Sequence, residues 1–234
     1  MKGFLSTSVL LLAVANVDAF APSKSFSPSV SALSSSVDDK TEVREYFNTE
    51  GFNRWNKIYS ESDYFNLKCI ISNVDGKEYC VRERKLLNQA ADKLAHTTND
   101  LKKLVSYCKT KFPNNPAVKR MVSKFNPKKV QETLPTSSYT AYSENKGEKI
   151  AFCLNKQKGG EGGLIDQNTL NFVALHELSH IATESVGHTN EFWDNFKFLL
   201  QQAEKINIYQ PEDYKKNPKH YCGMDITDNP YFDH

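Results

Sequence analysis

Apolar residues recur along this chain with two periods, one helical and one of alternating type. Between Arg82 and Phe112, the residues Leu87, Ala91, Leu94, Leu101, Val105, Cys108 and Phe112 fall on one stripe, and Lys93, Lys102, Lys103 and Lys109 lie mostly off it. That spacing predicts one long helix stopped by Pro113. The stripe is too short for a coiled coil, so the helix is assigned to covering one face of a domain. Asn115-Pro116 starts a short helix, with Asn as N-cap and Pro at the first position, which ends near Phe125-Asn126-Pro127. Ser138–Ser143 and Lys149–Leu154 alternate as strands around the turn Asn145-Lys146-Gly147-Glu148, which predicts a hairpin. Gly159 to Gly163 reads as a glycine-rich mobile connection, without the Lys-Ser/Thr of a phosphate loop.

A third helical stretch follows Asp166, its N-cap, with apolar positions Leu170, Val173, Ala174, Leu178, Ile181 and Ala182 and Gly187 as its stop. Thr189 caps the next helix, whose buried face carries Phe192, Phe196, Leu199, Leu200, Ala203 and Ile206. The remainder, with Tyr209, Tyr214, His220, Tyr221, Cys222 and His234, reads as an irregular tail. These elements make an α+β domain: a long N-terminal helix, a short antiparallel hairpin, a central helix and a packing helix.

The chemistry lies in the central helix, at His176-Glu177-Leu178-Ser179-His180. Two histidines four apart on a helix project from one face and can converge on one ion, and the glutamate beside the first can take a proton from a metal-bound water. A catalytic zinc needs a third protein ligand and a position for water. His188 is favoured, because the chain reverses at Gly187 and the next side chain can swing back. Glu184, Glu191 and the outlying His220 are the rivals, and Glu184 is also placed to orient a ligand. Tyr209, Tyr214, Tyr221 and His220 are available as oxyanion donors, and the sequence does not choose among them.

The segment His176-Glu177-Leu178-Ser179-His180…Gly187-His188-Thr189-Asn190-Glu191-Phe192-Trp193 resembles the H-E-L-x-H…H-x-x-x-F pattern of WLM-type and SprT-like minimal gluzincin peptidases. It is closer to metallopeptidase-like proteins of large DNA viruses and some algae. These also carry runs like Asn145 to Ile150, Phe192 to Phe196 and Tyr221-Cys222-Gly223-Met224. The resemblance spans about residues 80 to 230 and implies a small zincin-like fold with one strand edging the cleft. It further implies Zn2+ held by His176, His180 and His188, Glu177 as general base, and a peptide or protein substrate. If Lys149–Leu154 forms the sheet edge, it could bind an extended peptide by strand addition.

Composition sets the outer limits. With 39% hydrophobic and 25% charged residues and a net charge of +2, the chain has the makeup of a globular protein with well-mixed charge. No basic stripe or zinc-finger spacing appears, so no nucleic-acid partner is expected and a DNA-linked protease ranks last. No long apolar span follows the N-terminus, so no membrane segment is expected in the mature form.

Residues 1–19 read as a signal peptide and 20–37 as a Ser-rich, transit-like segment. The juncture Asp18-Ala19-Phe20-Ala21-Pro22 resembles the bipartite plastid-targeting signal of diatoms and related algae, which implies entry into the plastid; plain secretion is the alternative. Residues 38–79 form an aromatic-rich extension before the metallopeptidase-like domain at 80–234. Within it, Glu45-Tyr46-Phe47-Asn48…Gly51-Phe52-Asn53-Arg54-Trp55…Ile58-Tyr59 resembles the opening of magnesium-protoporphyrin methyltransferases. No Gly-rich loop for the methyl donor follows, so that activity does not carry over. The segment does frame an alternative function, a zinc-stabilised, catalytically weak module that docks onto a tetrapyrrole-pathway partner. The five cysteines are odd in number and widely spaced without C-x-x-C, which reads as free thiols in a reducing compartment.

Overall fold

The first two strands, Leu67–Ile71 and Glu78–Arg82, do not alternate apolar with polar residues, so the hydrophobic pattern does not announce them. In the computed structural model, which describes residues 67–134, 137–158 and 163–233, β1 (Leu67–Ile71) and β2 (Glu78–Arg82) form an antiparallel hairpin. Cys69 stands directly opposite Cys80, and the two are bonded as a disulfide. The hairpin therefore runs across the boundary expected between 79 and 80. The signal peptide, the transit-like segment, the methyltransferase-like run, His234 and most of the glycine loop lie outside the described residues.

The long helix, α1, spans Leu87–Lys111 rather than starting at Arg82. Helix propensity would accept Arg82-Glu83-Arg84-Lys85, but tertiary pairing overrides it. The Arg82 backbone N–H donates to Glu132 Oε2 (2.7 Å), and its guanidinium donates to Thr133 O (2.6 Å) and Thr133 Oγ1 (2.9 Å). Further along α1, Ala91, Leu94, Leu101 and Cys108 of the expected stripe are buried, with Phe112 as C-cap ahead of Pro113. Helix α2 (Pro116–Lys124) starts as its cap signal predicts, Asn115 Oδ1 accepting from the N–H of Ala117 and Val118.

Strands β3 (Val130–Glu132), β4 (Ala141–Glu144) and β5 (Lys149–Phe152) form a sheet in the order β3-β5-β4. The hairpin β4–β5 is antiparallel as expected, and β3 adds to β5 in parallel. The strand beginning at Lys149 is therefore central and not an edge, which removes it as a place for strand addition. A run as apolar as Ile150-Ala151-Phe152, fully buried, is the signature of a strand flanked on both sides. The sheet edge that packs against the central helix is β4.

That helix, α3 (Gln167–Ala182), is buried at every position from Thr169 onward. It packs against α1, α2, β4, β5 and α4 (Asn190–Lys205), and so forms the spine of the molecule. Asp166 caps its start, accepting from Thr169 N–H at 2.8 Å. Its end is Thr183, not Gly187; Gly187 lies in the following loop with φ +83°. Thr189 caps α4, and Phe192, Phe196, Leu199, Leu200 and Ala203 form its buried face.

The tail is more ordered than its sequence implies. β6 (Lys219–Tyr221) and β7 (Met224–Ile226) form a second hairpin, turning through Cys222 and Gly223 in left-handed conformation, and a 3-10 turn follows at Pro230–Phe232. Cys222 is bonded to Cys153 just after β5. Four of the five cysteines are thus paired and only Cys108, buried in α1, is free, which overturns the reading of five free thiols. Spacing could not show this, because each pairing depends on tertiary register. Among the described residues, no helix is long and apolar enough to cross a membrane.

Candidate metal centre

One turn of α3 separates His176 from His180, and their Nε2 atoms lie 3.2 Å apart. His188 enters from the loop that precedes α4, with its Nε2 3.1 Å from that of His176. One ring nitrogen from each of the three lies within 4.8 Å of the other two. Tetrahedral zinc with bonds of about 2.0–2.1 Å would space its nitrogen ligands by roughly 3.3 Å. The residues present therefore fit a single small cation. Phe192 forms the floor, its ring 4.3 to 4.8 Å from all three imidazoles and stacked on His180. Trp193 stacks on His188 at 5.6 Å, and Phe196 meets His176 edge-on at 5.2 Å.

This enclosure sets the charge state. Burial holds His176 well below the usual histidine range, with His180 and His188 pushing the same way. Burial, followed by the neighbouring His188 and Lys146, lowers His180 to about 3, and burial lowers His188 too. Neutral imidazoles are the metal-binding form.

Glu177 is fully buried, and among the described residues neither of its carboxylate oxygens has a hydrogen-bond partner. Burial pushes its pKa up to about 8. A buried carboxyl without a partner is costly, and a cation at the adjacent imidazoles would favour its ionised form. This orphaned acid, one residue from His176, is the second observation that fits a metal group.

The rivals for the third ligand are engaged elsewhere. Glu184 is 83% exposed at its side chain and faces Arg120 at 3.4 Å. Glu191 accepts from Arg120 Nη2 (2.7 Å), from the N–H groups of Glu184 and Ser185, and from Ser185 Oγ. His220 is an exposed residue of β6 whose ring contacts Asp225 Oδ1 (2.7 Å) and Gln157 Nε2 (2.8 Å).

Of the proposed oxyanion donors, Tyr209 pairs with Asn229 (2.8 Å), and Tyr214 packs edge-on against Phe172 at 4.9 Å. Tyr221 is buried and donates to Thr140 O at 3.2 Å. Its hydroxyl pKa is raised, by burial first and then by the charge of Glu177. Sequence reasoning missed Arg120 and Lys146, which bond to backbone carbonyls at the end of α3 and in the loop leading to His188. Lys146 lies 37 residues from Thr183 in the chain, and no local pattern connects the two.

No protein-family model and no solved structure matches the chain. Three curated proteins of large DNA viruses do. Uncharacterized protein R325 of Acanthamoeba polyphaga mimivirus is 30% identical over 177 residues, covering 74% of this chain and 86% of the viral protein. Uncharacterized protein 136R of Invertebrate iridescent virus 6 is 36% identical over 75 residues, 32% of this chain and 41% of its own length. Uncharacterized protein 042R of Invertebrate iridescent virus 3 is 41% identical over 59 residues, 25% of this chain and 36% of its own length. The extent of the first match agrees with the viral likeness seen in the sequence, and the chain belongs to the family of mimivirus protein R325.

Proposed function

We propose that the protein is a zinc-dependent metallopeptidase. The observation that carries this reading is the buried Glu177 carboxyl, without a partner among the described residues, beside three converging imidazoles. When bound, zinc would supply Lewis acidity toward the scissile carbonyl and a water of lowered pKa. His176, His180 and His188 would hold it through Nε2. Glu177 would take the proton from the attacking water and deliver it to the leaving amine nitrogen. Phe192 and Trp193 pack against the imidazoles and would hold their orientation.

The test is Glu177→Gln, assayed for zinc content and for hydrolysis of unstructured protein substrates. Zinc should stay at one per chain while hydrolysis falls at least about 100-fold, the range for a lost general base. A fully active Glu177→Gln protein would sink the mechanism.

The second reading is a zinc-stabilised binding module without strong catalysis. It draws on the enclosure of the site: His176, Glu177 and His180 are each no more than 2% exposed. Under that reading Glu177→Gln changes no activity, and a partner capture dependent on Tyr46 to Tyr59 replaces it. For localisation, plastid import and secretion stay as the two proposals. The Cys69–Cys80 and Cys153–Cys222 pairs favour an oxidising route. Imaging a fluorescent protein fused behind residues 1–37 separates the two.

A further inference from the structure

We infer that Lys146, together with the Arg120–Glu191 pair, positions His188 for metal binding. This rests on the metal-centre reading above. Two of the three imidazoles are preset by α3, but the third hangs on a loop, and that loop is fastened by side chains from three other elements. Lys146, at the tip of the β4–β5 turn, directs its ammonium at three successive carbonyls: Thr183 O (2.8 Å), Glu184 O (3.1 Å) and Ser185 O (2.7 Å). Arg120 of α2 donates through Nε to Ala182 O at 2.7 Å and through Nη2 to Glu191 at 2.7 Å. Glu191, in the first turn of α4, receives the N–H groups of Glu184 (3.1 Å) and Ser185 (3.2 Å) and the Ser185 hydroxyl (3.0 Å). Ser185 Oγ also lies 2.7 Å from Thr189 Oγ1, the cap of α4.

The consequence follows from chain entropy. Between the fastened residues 182–185 and the α4 cap, only Val186, Gly187 and His188 remain. Val186 is 58% exposed, and Gly187 has the left-handed φ of +83°. Without the fastening, ordering that segment would fall on metal binding itself, and affinity would drop accordingly. Charge-assisted bonds to carbonyls at the helix end and in the loop just beyond it are suited to this task. A plain helix cap would account for a single cation on these carbonyls. It does not account for an acid from the next helix holding the N–H groups of the same residues.

The test uses the full chain as wild type, Lys146→Met, Glu191→Gln and Lys149→Met. Lys149 pairs with Glu144 at 3.1 Å in the same hairpin and serves as the control. Zinc affinity is read by competition with a chromophoric chelator, ligand geometry by the Co2+ absorption spectrum, and metal-free stability by thermal melting. Lys146→Met should weaken zinc by about 10- to 100-fold, as loss of groups that orient ligands does. It should also alter the Co2+ spectrum. Glu191→Gln should move affinity the same way by a smaller factor, and Lys149→Met should leave it unchanged.

Lower melting temperatures with unchanged zinc affinity in Lys146→Met and Glu191→Gln would make the residues merely structural and overturn the inference. If Lys146→Met does not fold, the isosteric Glu191→Gln decides. A wild-type protein that takes up no zinc would overturn the metal-centre reading itself, a result distinct from equal affinities across the set.

Discussion

Gly147 is where the hairpin turn meets both α2 and the metal-bearing helix, and replacing it by alanine probes that junction. Its φ is +114°, a conformation that side chains resist, at a cost of roughly 1–2 kcal/mol. A Cβ there would lie 2.7 Å from Lys124 O, a backbone atom at the end of α2, and 3.1 Å from two methyl carbons of Ile181. Neither neighbour is the loose end of a flexible side chain, so overpacking adds about 1–3 kcal/mol. A total near 3 kcal/mol should lower the melting temperature by roughly 6–12 °C in a domain of this size. Gly76→Ala is the matched control: its φ is +67°, and among the described residues nothing lies within 4 Å of the added carbon. It should cost only the conformational part, about 1 kcal/mol, or roughly 2–4 °C. Both proteins would be melted metal-free and then titrated with zinc. Displacing the turn also withdraws Lys146, so Gly147→Ala should weaken zinc binding and Gly76→Ala should not. Equal melting shifts for the two variants would refute the packing described at this turn.

The metal-free protein should show two opposed proton linkages. The His176, His180 and His188 pKa values are lowered on folding, so their contribution is lost as pH falls below the ordinary histidine value of 6.5. Glu177 is raised from 4.5 to about 8, so its contribution is lost as pH rises through that window, up to about 5 kcal/mol as an upper bound. Metal-free Glu177→Gln should therefore gain on wild type as pH rises from 4.5 to about 8 in thermal melts, and parallel curves would contradict the burial of this carboxyl. Opening the Cys153–Cys222 bond, which spans 69 residues of sequence, should remove about 4 kcal/mol of chain-entropy stabilisation. Urea unfolding of the Cys153→Ser, Cys222→Ser double variant measures it, and an unchanged midpoint would refute the pairing.

Much of the fold is legible in the chain because its signals are local. Asn115, Asp166 and Thr189 each cap the helix they precede, and the stripe of α1 and the buried face of α4 follow the helical period. The H-E-x-x-H spacing likewise brings His176 and His180 together by helix geometry alone. What the sequence hides is set by distant partners. Gly187 looked like a helix stop, yet α3 ends one turn earlier, where Arg120 and Lys146 take up its open carbonyls. Arg82 looked helical and is instead held in β2 by Glu132 and Thr133. An edge position for the Lys149 strand is excluded by β3, some twenty residues upstream, which pairs with it in parallel. Cysteine pairing was opaque for the same reason: Cys69 meets Cys80 through hairpin register, and Cys153 meets Cys222 through the packing of the tail.

The most direct test is zinc stoichiometry on the purified chain, beside its His188→Ala variant. The account predicts one tightly bound zinc per wild-type chain, and binding lost or strongly weakened when the loop histidine is removed. A wild-type chain that binds no metal after zinc addition, or a His188→Ala variant that holds zinc as tightly as wild type, would contradict the three-histidine centre.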